Sequence, residues 1–260
     1  MTASALRAAL IGASGRMGKA IDRLAQANGV DIALRVGAAS SVSAADLNGA
    51  SVGVIIDFSS PNGVDRAAQL ARDARVALMS GTTGVGEATQ AMFDEASRVV
   101  PVIWEPNTSV GMHVLGRLLR AAVAELGEGY DIEIVETHHK AKVDAPSGSA
   151  LRLASIAGGA VRDQARRKEL DIVHGRQGAV GPRKSEIGVH AIRGGDVIGD
   201  HSVHLMGAGE RIELTHRATD RDLFAIGALK LAKWVATMPT GRYTLDDYIT
   251  PLPLRGRGKA

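Results

Sequence analysis

A strand, a glycine-rich turn, a helix and a second strand follow one another at the amino end of the chain. Residues 6–11 are largely apolar, residues 12–18 read GASGRMG, residues 17–27 have helical periodicity, and residues 30–36 resemble a second strand. A glycine turn between a strand and a helix exposes backbone N–H groups at the helix start, where they attract phosphate. The sequence therefore predicts a dinucleotide-binding unit of the Rossmann-like, doubly wound α/β class.

This first turn supplies one set of predicted cofactor contacts: Gly12, Ala13, Ser14, Gly15, Arg16 and Met17. Sites that bind NAD usually carry an acid about 20 residues further on, which bonds the ribose 2′-hydroxyl. Here residues 35–41 contain no acid, whereas Arg16, Arg35, Ser40 and Ser41 are suited to a 2′-phosphate. We therefore expect NADPH or NADH as the cofactor, with NADPH preferred.

Three further strands each end in a polar turn. The strands are residues 52–58, 76–79 and 100–104. Ligands collect at the carboxyl ends of parallel strands, so these turns are expected to line one crevice. Taken singly, each turn would be better explained as an ordinary loop. The remaining predicted cofactor contacts lie in the last two turns: Gly81, Thr82, Thr83, Glu105, Pro106, Asn107 and Thr108.

The pattern changes after residue 110. Strand-like runs with short glycine turns follow, which is typical of antiparallel or mixed pairing. We expect residues 1–110 to form the dinucleotide-binding domain and residues 111–239 to form an α+β domain for substrate binding and oligomerisation. A helix over residues 222–238 is expected to close that second domain, and residues 240–260 are expected to return to the first. The second sheet would be open, so its uncovered face predicts packing on a partner chain.

Residues 136–150, ETHHKAKVDAPSGSA, combine a strand end, a polar loop and a helix start. His138 and His139 end the strand, and Lys142 lies in the loop. A helix N-terminus flanked by lysine and histidine attracts anions such as carboxylates, and both side chains can exchange protons near neutral pH. The stretch predicts a site for an anionic small molecule, with solvated surface side chains as the alternative. No metal is expected, because the chain has no cysteine and no recognised ligand spacing.

Composition is ordinary for a globular protein, with 45% hydrophobic and 23% charged residues. The formal net charge is +3, aromatic residues make up 3%, and basic clusters occur only at residues 166–168 and 255–259. We therefore expect no nucleic-acid partner. No apolar run is long enough for a signal peptide or a membrane span, so we expect a cytoplasmic protein without a membrane partner.

Seven stretches, taken in order, resemble the 4-hydroxy-tetrahydrodipicolinate reductase (dihydrodipicolinate reductase) family of lysine and diaminopimelate biosynthesis. The resemblance covers nearly the whole chain, and its His-His-Lys stretch is the most specific. The stretches are GASGRMG at 12–18, DFSSP at 57–61, GTTG at 81–84, EPNTSVG at 105–111, ETHHKAKVDAPSGSA at 136–150, RGGDVIGDH at 193–201 and GERIELTHRATDR at 209–221.

The resemblance implies roles for individual residues. His138 matches the catalytic proton donor or acceptor, and Lys142 matches the proton donor. His139, Gly148 and Ser149 match the positions that hold the carboxylates of the substrate. The resemblance also implies a homotetramer built through the second sheet.

Two departures from the family pattern concern the cofactor. The region after the second strand is shorter than usual, and Gly37-Ala38 stand where an acid-arginine pair is expected. Pro106 and Thr108 replace the small and aromatic residues usual beside Asn107, which predicts a nicotinamide pocket of different shape.

The implied activity is the NAD(P)H-dependent reduction of 4-hydroxy-tetrahydrodipicolinate, a small dicarboxylate, to tetrahydrodipicolinate. Hydride would add to a conjugated, imine-containing ring, and Lys142 or His138 would supply the proton. Two alternatives remain. One is a reductase of another imino or keto acid on the same scaffold, and the other is a dinucleotide-sensing protein without turnover.

Overall fold

The computed structural model describes residues 5–38, 40–163 and 170–249 of the chain. These residues form two compact units, of which the second comprises Val110–Arg221. The first unit combines the residues before Val110 with those from Asp222 onward. Both basic clusters noted in the sequence, and the part of the segment 240–260 that follows residue 249, lie outside the described residues.

In chain order the elements are β1 (Leu6–Ile11), α1 (Arg16–Ala25), β2 (Val30–Val36), α2 (Ala44–Gly49), β3 (Val54–Asp57), α3 (Pro61–Ala74), β4 (Ala77–Ser80), α4 (Glu87–Ser97), β5 (Pro101–Trp104), α5 (Val110–Leu126), β6 (Asp131–His138), α6 (Gly148–Asp163), β7 (Asp171–Val173), β8 (Glu186–Arg193), β9 (Gly199–Met206), β10 (Arg211–Ala218), α7 (Asp222–Val235), β11 (Gly241–Tyr243) and α8 (Leu245–Tyr248). Within the described ranges, no helix has both the length and the apolar character that crossing a bilayer requires.

The sheet of the first unit is parallel throughout, with the strand order β11-β5-β4-β3-β1-β2. Successive residues of a strand point to opposite faces of the sheet. Leu10 and Ile56 therefore pack in one core with α1 and α7, whereas Ile11 and Ile55 pack in a second core with α3 and α4. Helices cover both faces, which confirms the doubly wound, Rossmann-like sheet predicted from the sequence.

Five strands form the sheet of the second unit, in the order β10-β9-β6-β8-β7. The central strand β6 runs parallel to β8 and antiparallel to β9. Ile134, Val189 and Val203 form a core on the face that α5 and α6 cover. Among the described residues of this unit, no helix covers the other face. The open mixed sheet predicted from the sequence is therefore confirmed.

Helix α7 packs in the first unit, so the expectation that a helix over residues 222–238 closes the second domain is wrong. Its apolar residues, Ala228 among them, are buried in the same core as Leu10. Gly227 permits this close packing, because a Cβ atom there would lie 1.9 Å from the carbonyl oxygen of Thr108. An apolar helix suits either sheet, and the amino-acid pattern alone does not determine which one it covers.

The chain after α7 adds β11 to the edge of the first sheet, parallel to β5. Trp234 of α7 contacts the rings of Tyr243 and Tyr248 edge-on, each at a centroid distance of 5.5 Å. These aromatic contacts fasten β11 and α8 onto α7.

An ion cluster fastens the β7–β8 connection to the uncovered face of the second sheet. Glu133 of β6 is 8% exposed. Its carboxylate lies 2.9 Å from Arg176, 3.0 Å from Arg183 and 2.7 Å from His190 Nε2. Burial raises the pKa of Glu133, but hydrogen bonds from these three side chains outweigh burial and lower the pKa to about 2. The carboxylate is therefore ionised at neutral pH.

Glu133→Gln is expected to destabilise the fold at neutral pH by on the order of 3 kcal/mol. Because the folded pKa lies below the ordinary value, this stability is present above about pH 4.5 and is lost as the pH falls toward about 2. Urea unfolding of wild type and variant at pH 7 and pH 3 measures the difference. Glu213→Gln, which breaks an exposed pair with Arg211, is the control and should cost little. An equal loss for Glu133→Gln at both pH values would contradict the prediction.

Candidate functional site

Parallel strand register brings the predicted cofactor segments to one edge of the first sheet. Asp57 is in register with Ile11 on one side and with Ser80 on the other. Beyond the strand ends, Gly81 N–H donates to Asp57 O, and Glu105 N–H donates to Ser80 O, both at 2.9 Å. The turns after β1, β3, β4 and β5 therefore lie side by side. They include the segments predicted to contact a cofactor, residues 12–17, 81–83 and 105–108.

The turn after β1 fits the pyrophosphate of a dinucleotide. Gly12 has a φ of +82°, and a Cβ atom there would lie 2.3 Å from Phe58 O, so this position requires glycine. A Cβ atom at Gly18 would lie 2.2 Å from Gly12 O, so glycine also allows α1 to approach the turn. No side chain caps the start of α1, no acid lies in its first turn, and Arg16 begins it. The positive end of the helix dipole is therefore available to an anion.

Asp57 is fully buried at the end of β3 and organises two of these turns. Its Oδ2 accepts hydrogen bonds from Ser80 Oγ at 2.7 Å and from Thr82 Oγ1 at 2.6 Å, and its Oδ1 accepts one from Ser59 Oγ at 2.5 Å. Burial raises the pKa of Asp57, and these hydroxyl groups offset part of the rise. The Thr82 hydroxyl is thus committed to Asp57, and the Thr82 carbonyl accepts from Trp104 Nε1 at 2.9 Å. Thr82 therefore stabilises the turn after β4 through its buried hydroxyl and carbonyl groups.

The segment after β5 divides into buried and more exposed side chains. Thr108 is 1% exposed, and its Oγ1 donates to Phe224 O at 2.7 Å, so its side chain faces the protein interior. Glu105 is also buried, and its Oε1 accepts the Asn107 N–H at 3.3 Å. Pro106 is exposed and Asn107 is half-buried. Any side-chain contact from this segment to a cofactor therefore falls to Pro106 and Asn107.

Arg35, which the sequence predicts to face a 2′-phosphate, is paired with helix α1. Its Nε and one terminal nitrogen donate to the two oxygens of Asp22 at 2.8 and 2.6 Å. Its other terminal nitrogen donates to Ile32 O at 2.9 Å. The hydrogen bond with Asp22 raises the pKa of Arg35, and the Asp22 charge offsets that of the guanidinium. This pairing weakens the expectation that Arg35 binds phosphate.

A second arginine reaches the turn after β2 from α3. Arg66 donates to the carbonyl oxygens of Ser40 and Val42 at 2.9 and 3.1 Å. Ser40 Oγ accepts the Gly37 N–H at 3.2 Å, which closes the turn. Among the described residues, no carboxylate pairs with Arg66. Sequence reasoning did not single out Arg66, because its contact with this turn depends on how α3 packs.

In the second unit, His138 is the last residue of β6 and is 8% exposed. Its Nδ1 lies 2.5 Å from Glu136 Oε2, and its ring contacts His201 edge-on at a centroid distance of 5.2 Å. Burial lowers the pKa of His138, and the hydrogen bond with Glu136 offsets part of that effect. The nearby charge of Lys142 lowers the pKa further. His138 is therefore largely neutral at neutral pH.

Lys142 lies in the loop between β6 and α6 with its Nζ 2.7 Å from Asp144 Oδ1. Its side chain is 22% exposed. The hydrogen bond from Lys142 lowers the pKa of Asp144, so this carboxylate is ionised at neutral pH. Backbone bonds hold the loop in place, from His139 N–H to Val197 O at 2.7 Å and from Lys142 N–H to His139 O at 3.1 Å.

The predicted carboxylate-binding residues Gly148 and Ser149 are the first two residues of α6. Ser147 caps the helix, since its Oγ accepts the Ala150 N–H at 3.2 Å. The Ser147 N–H donates to Glu136 Oε1 at 3.0 Å, which places the helix start beside the end of β6. No acid lies in the first turn of α6. The helix start can therefore receive an anion.

Sequence reasoning missed the pair formed by Glu136 and Arg193. Arg193 donates to the two oxygens of Glu136 at 2.8 and 2.7 Å and to Asp144 O at 2.6 Å. The alternation of β6 was the available signal, because it places Glu136 on the same face as Ile132 and Ile134. A carboxylate on an apolar face needs a buried partner.

Family models match both units of the chain. One described as "Dihydrodipicolinate reductase, N-terminus" matches residues 6–108, and one described as "Dihydrodipicolinate reductase, C-terminus" matches residues 111–249. A 4-hydroxy-tetrahydrodipicolinate reductase from Alkalilimnicola ehrlichii is 40% identical over 266 residues, which cover 94% of this chain and 98% of the relative. One from Anaeromyxobacter sp. (strain Fw109-5) is 46% identical over 208 residues, which cover 78% of this chain and 76% of the relative.

A solved structure with a similar fold is a dipicolinate-bound dihydrodipicolinate reductase from Paenisporosarcina sp. TG-14. The TM-score is 0.77 at 21% sequence identity, and the match covers 94% of this chain and 100% of the other. The likeness therefore extends over both units at the level of the fold.

Proposed function

The chain belongs to the dihydrodipicolinate reductase family, and we propose that it reduces 4-hydroxy-tetrahydrodipicolinate to tetrahydrodipicolinate with NAD(P)H, in lysine and diaminopimelate biosynthesis. It is thus a nicotinamide-dependent oxidoreductase. The observation that carries this proposal is the family match over residues 6–108 and 111–249. The polar site formed by His138, Lys142 and the start of α6 supports it, because these groups suit an acidic substrate that must be protonated.

The cofactor supplies a hydride when it is bound at the carboxyl edge of the first sheet. The N–H groups at the start of α1 would hold its pyrophosphate, and Arg16 would add a positive charge. Gly81 and Asn107, from the neighbouring turns, would complete the contacts. These parts of the protein bind and orient the cofactor.

In the second unit, the start of α6 would hold the carboxylates of the substrate. Backbone N–H groups at Gly148 and Ser149 can donate to a carboxylate, and His139 lies at the beginning of the adjoining loop. Carboxylates fixed in this way would orient the ring relative to the proton donors. Correct orientation of the reacting groups is itself a large part of catalysis.

Lys142 or His138 would supply the proton. Conversion of 4-hydroxy-tetrahydrodipicolinate to tetrahydrodipicolinate consumes one hydride and one proton and releases the 4-hydroxyl group as water. Loss of water gives a conjugated, imine-containing dicarboxylate, and addition of hydride to it leaves an electron-rich carbon or nitrogen that must be protonated. Asp144 Oδ1 accepts a hydrogen bond from Lys142 Nζ at 2.7 Å and so holds the amine in place. His138 is the other group of this site that can exchange a proton, through its ring nitrogens.

Lys142→Ala is expected to lower kcat by about 10²–10⁴-fold without unfolding the protein, because it removes a positioned general acid. Oxidation of NADPH is followed by absorbance, with substrate generated in place by the upstream synthase. Lys140→Ala, an exposed lysine of the same loop, is the matched control and should turn over normally.

Near-normal turnover of a folded Lys142→Ala variant would remove Lys142 from the mechanism. If the wild-type protein bound the cofactor but reduced only other imino or keto acids, one of those acids would be the substrate in place of 4-hydroxy-tetrahydrodipicolinate. Binding without oxidation by any candidate acid would favour a sensing role.

We further propose that NADPH is the preferred cofactor and that Arg66 favours its 2′-phosphate. Arg66 is a cation held at the turn after β2 by the carbonyl oxygens of Ser40 and Val42. Arg35 is neutralised by Asp22 and is less suited to the role.

Arg66→Gln is expected to raise the Kd of NADPH about 10-fold or more while leaving that of NADH nearly unchanged, since a charge-assisted hydrogen bond contributes about 1.5–3 kcal/mol. Isothermal titration measures both constants without turnover. Arg72→Gln, on the same helix but in the pair with Asp73, is the control. If Arg35→Gln weakened NADPH binding more than Arg66→Gln does, Arg35 rather than Arg66 would be the residue that binds the 2′-phosphate.

We also propose that the protein is a homotetramer assembled through the uncovered face of the second sheet. That face carries Ile192, 50% exposed, and Met206, 36% exposed, and apolar side chains on an open sheet favour packing against another sheet.

The cytoplasmic location expected from the sequence stays a prediction.

Ile192→Glu is expected to lower the molar mass measured by light scattering, because it buries a charge in the proposed interface. Leu151→Glu, at an exposed site on helix α6, is the control and should leave the mass unchanged. A monomeric wild-type chain would contradict the assembly.

A further inference from the structure

Glu136 is a carboxylate within an apolar face. The alternation of β6 places it beside Ile134, on the side of the sheet that α6 covers, and its exposure is 0%. Removing a carboxylate from water costs several kcal/mol unless hydrogen bonds replace its hydration. A buried carboxylate at this position therefore requires hydrogen-bond donors or an opposite charge close to its oxygens.

Four donors surround this carboxylate. Arg193 donates one hydrogen bond to each oxygen, at 2.8 and 2.7 Å. Ser147 N–H donates to Oε1 at 3.0 Å, and His138 Nδ1 lies 2.5 Å from Oε2. Burial raises the pKa of Glu136, but the hydrogen bonds from Arg193, His138 and Ser147 outweigh burial and hold the pKa below its usual range. The group is therefore an anion that can only accept.

We infer that Glu136, clamped by Arg193, is the positioning residue that fixes His138 with Nδ1 protonated and Nε2 directed to the reacting molecule. Because an ionised carboxylate has no proton to give, His138 Nδ1 must be the donor in their contact. A neutral imidazole carries only one ring proton, so Nε2 is unprotonated. Nε2 is therefore the ring nitrogen that can exchange a proton with the reacting molecule.

Gly199 keeps the side of the ring at Nε2 open. A Cβ atom at Gly199 would lie 2.9 Å from His138 Nε2 and 3.3 Å from Cδ2. Among the described residues, none forms a hydrogen bond to this Nε2. The two ring nitrogens thus differ, since one is held by Glu136 and the other lacks a protein partner.

The other groups around the ring fix its orientation. His201 of β9 contacts it edge-on, and burial lowers the pKa of His201 to about 4, so this neighbour is neutral. Arg193 of β8 and Lys142 of the loop supply the positive charges that act on His138. Arg193 also donates to Asp144 O at 2.6 Å, so the same clamp holds the loop that carries Lys142.

Since this role depends on the proposed reaction at His138, the first measurement does not use turnover. Histidine ¹⁵N resonances of the protein without substrate report which ring nitrogen carries the proton, and the His138 signals are assigned by their loss in His138→Gln. We expect Nδ1 to be protonated in the wild type. In Glu136→Gln, the Ser147 N–H and Arg193 should continue to donate to the side-chain amide oxygen, so the amide NH₂ group faces His138 Nδ1. Because that NH₂ group is a donor, Nδ1 must accept from it, and the ring proton should lie on Nε2.

The kinetic result expected for Glu136→Gln is a fall in kcat on the order of 10²-fold with little change in KM. Glu133→Gln is the matched control, because Glu133 lies on the same strand and also pairs with a histidine and arginines. It should lower stability yet leave kcat and the His138 signals unchanged. If Glu136→Gln alone fails to fold, Glu136→Gln with Arg193→Met removes the unpaired charge. Because Arg193 also holds the loop that carries Lys142, the His138 signals decide the result for this double variant, and they should show the proton on Nε2.

The outcomes separate this inference from the proposed reaction. An active wild type with His138 protonated on Nε2, or a folded variant with wild-type kcat, would overturn the positioning role. An inactive wild type with His138 protonated on Nδ1 would overturn the proposed reaction and keep the positioning role.

Discussion

Buried carboxylates hold the polar parts of both units in place. Asp57 ends β3 and Glu136 lies near the end of β6, and neither has any exposed surface. A carboxylate out of water is tolerated only when donors replace its hydration, so its geometry dictates where those donors lie. The donors to Asp57 come from the end of β4 and from the turns after β3 and β4. Those to Glu136 come from β8, β6 and the start of α6. One buried group in each unit therefore positions several segments.

The two carboxylates differ in the donors they receive. Asp57 is surrounded by neutral hydroxyl groups, and burial raises its pKa. Glu136 is paired with the guanidinium of Arg193, which helps to keep its pKa low despite burial. Hydroxyl groups hold a carboxylate without strongly favouring its charge, whereas a guanidinium makes it a permanent anion. A neutral or an ionised carboxyl can organise turns, whereas an ionised carboxylate can only accept a hydrogen bond and so requires the imidazole nitrogen beside it to carry the proton.

Local sequence patterns predicted the elements well and the side-chain partners poorly. Apolar runs and glycine turns predicted the parallel sheet, and the GASGRMG turn predicted the helix start that follows β1. Both predictions succeed because strand and turn formation depend mainly on residues that are close in sequence. The sequence predicts a cofactor contact for Arg35 from its place near the end of the second strand, and one for Thr108 from its place in the EPNTSVG stretch. In the structure Arg35 pairs with Asp22, and Thr108 faces the interior. A motif fixes where the backbone goes, whereas packing determines which way each side chain points.

The sequence by itself determined the fold class, the family and the strand, loop and helix that carry His138 and Lys142. These follow from residue order, since alternation, turn chemistry and helix-start signals are local. Only the tertiary structure decided that α7 belongs to the first sheet and that Arg66 reaches the turn after β2. It also decided that Arg193, 57 residues from Glu136, clamps that carboxylate. Contacts of this kind depend on how distant segments pack, and no periodicity in the chain encodes them.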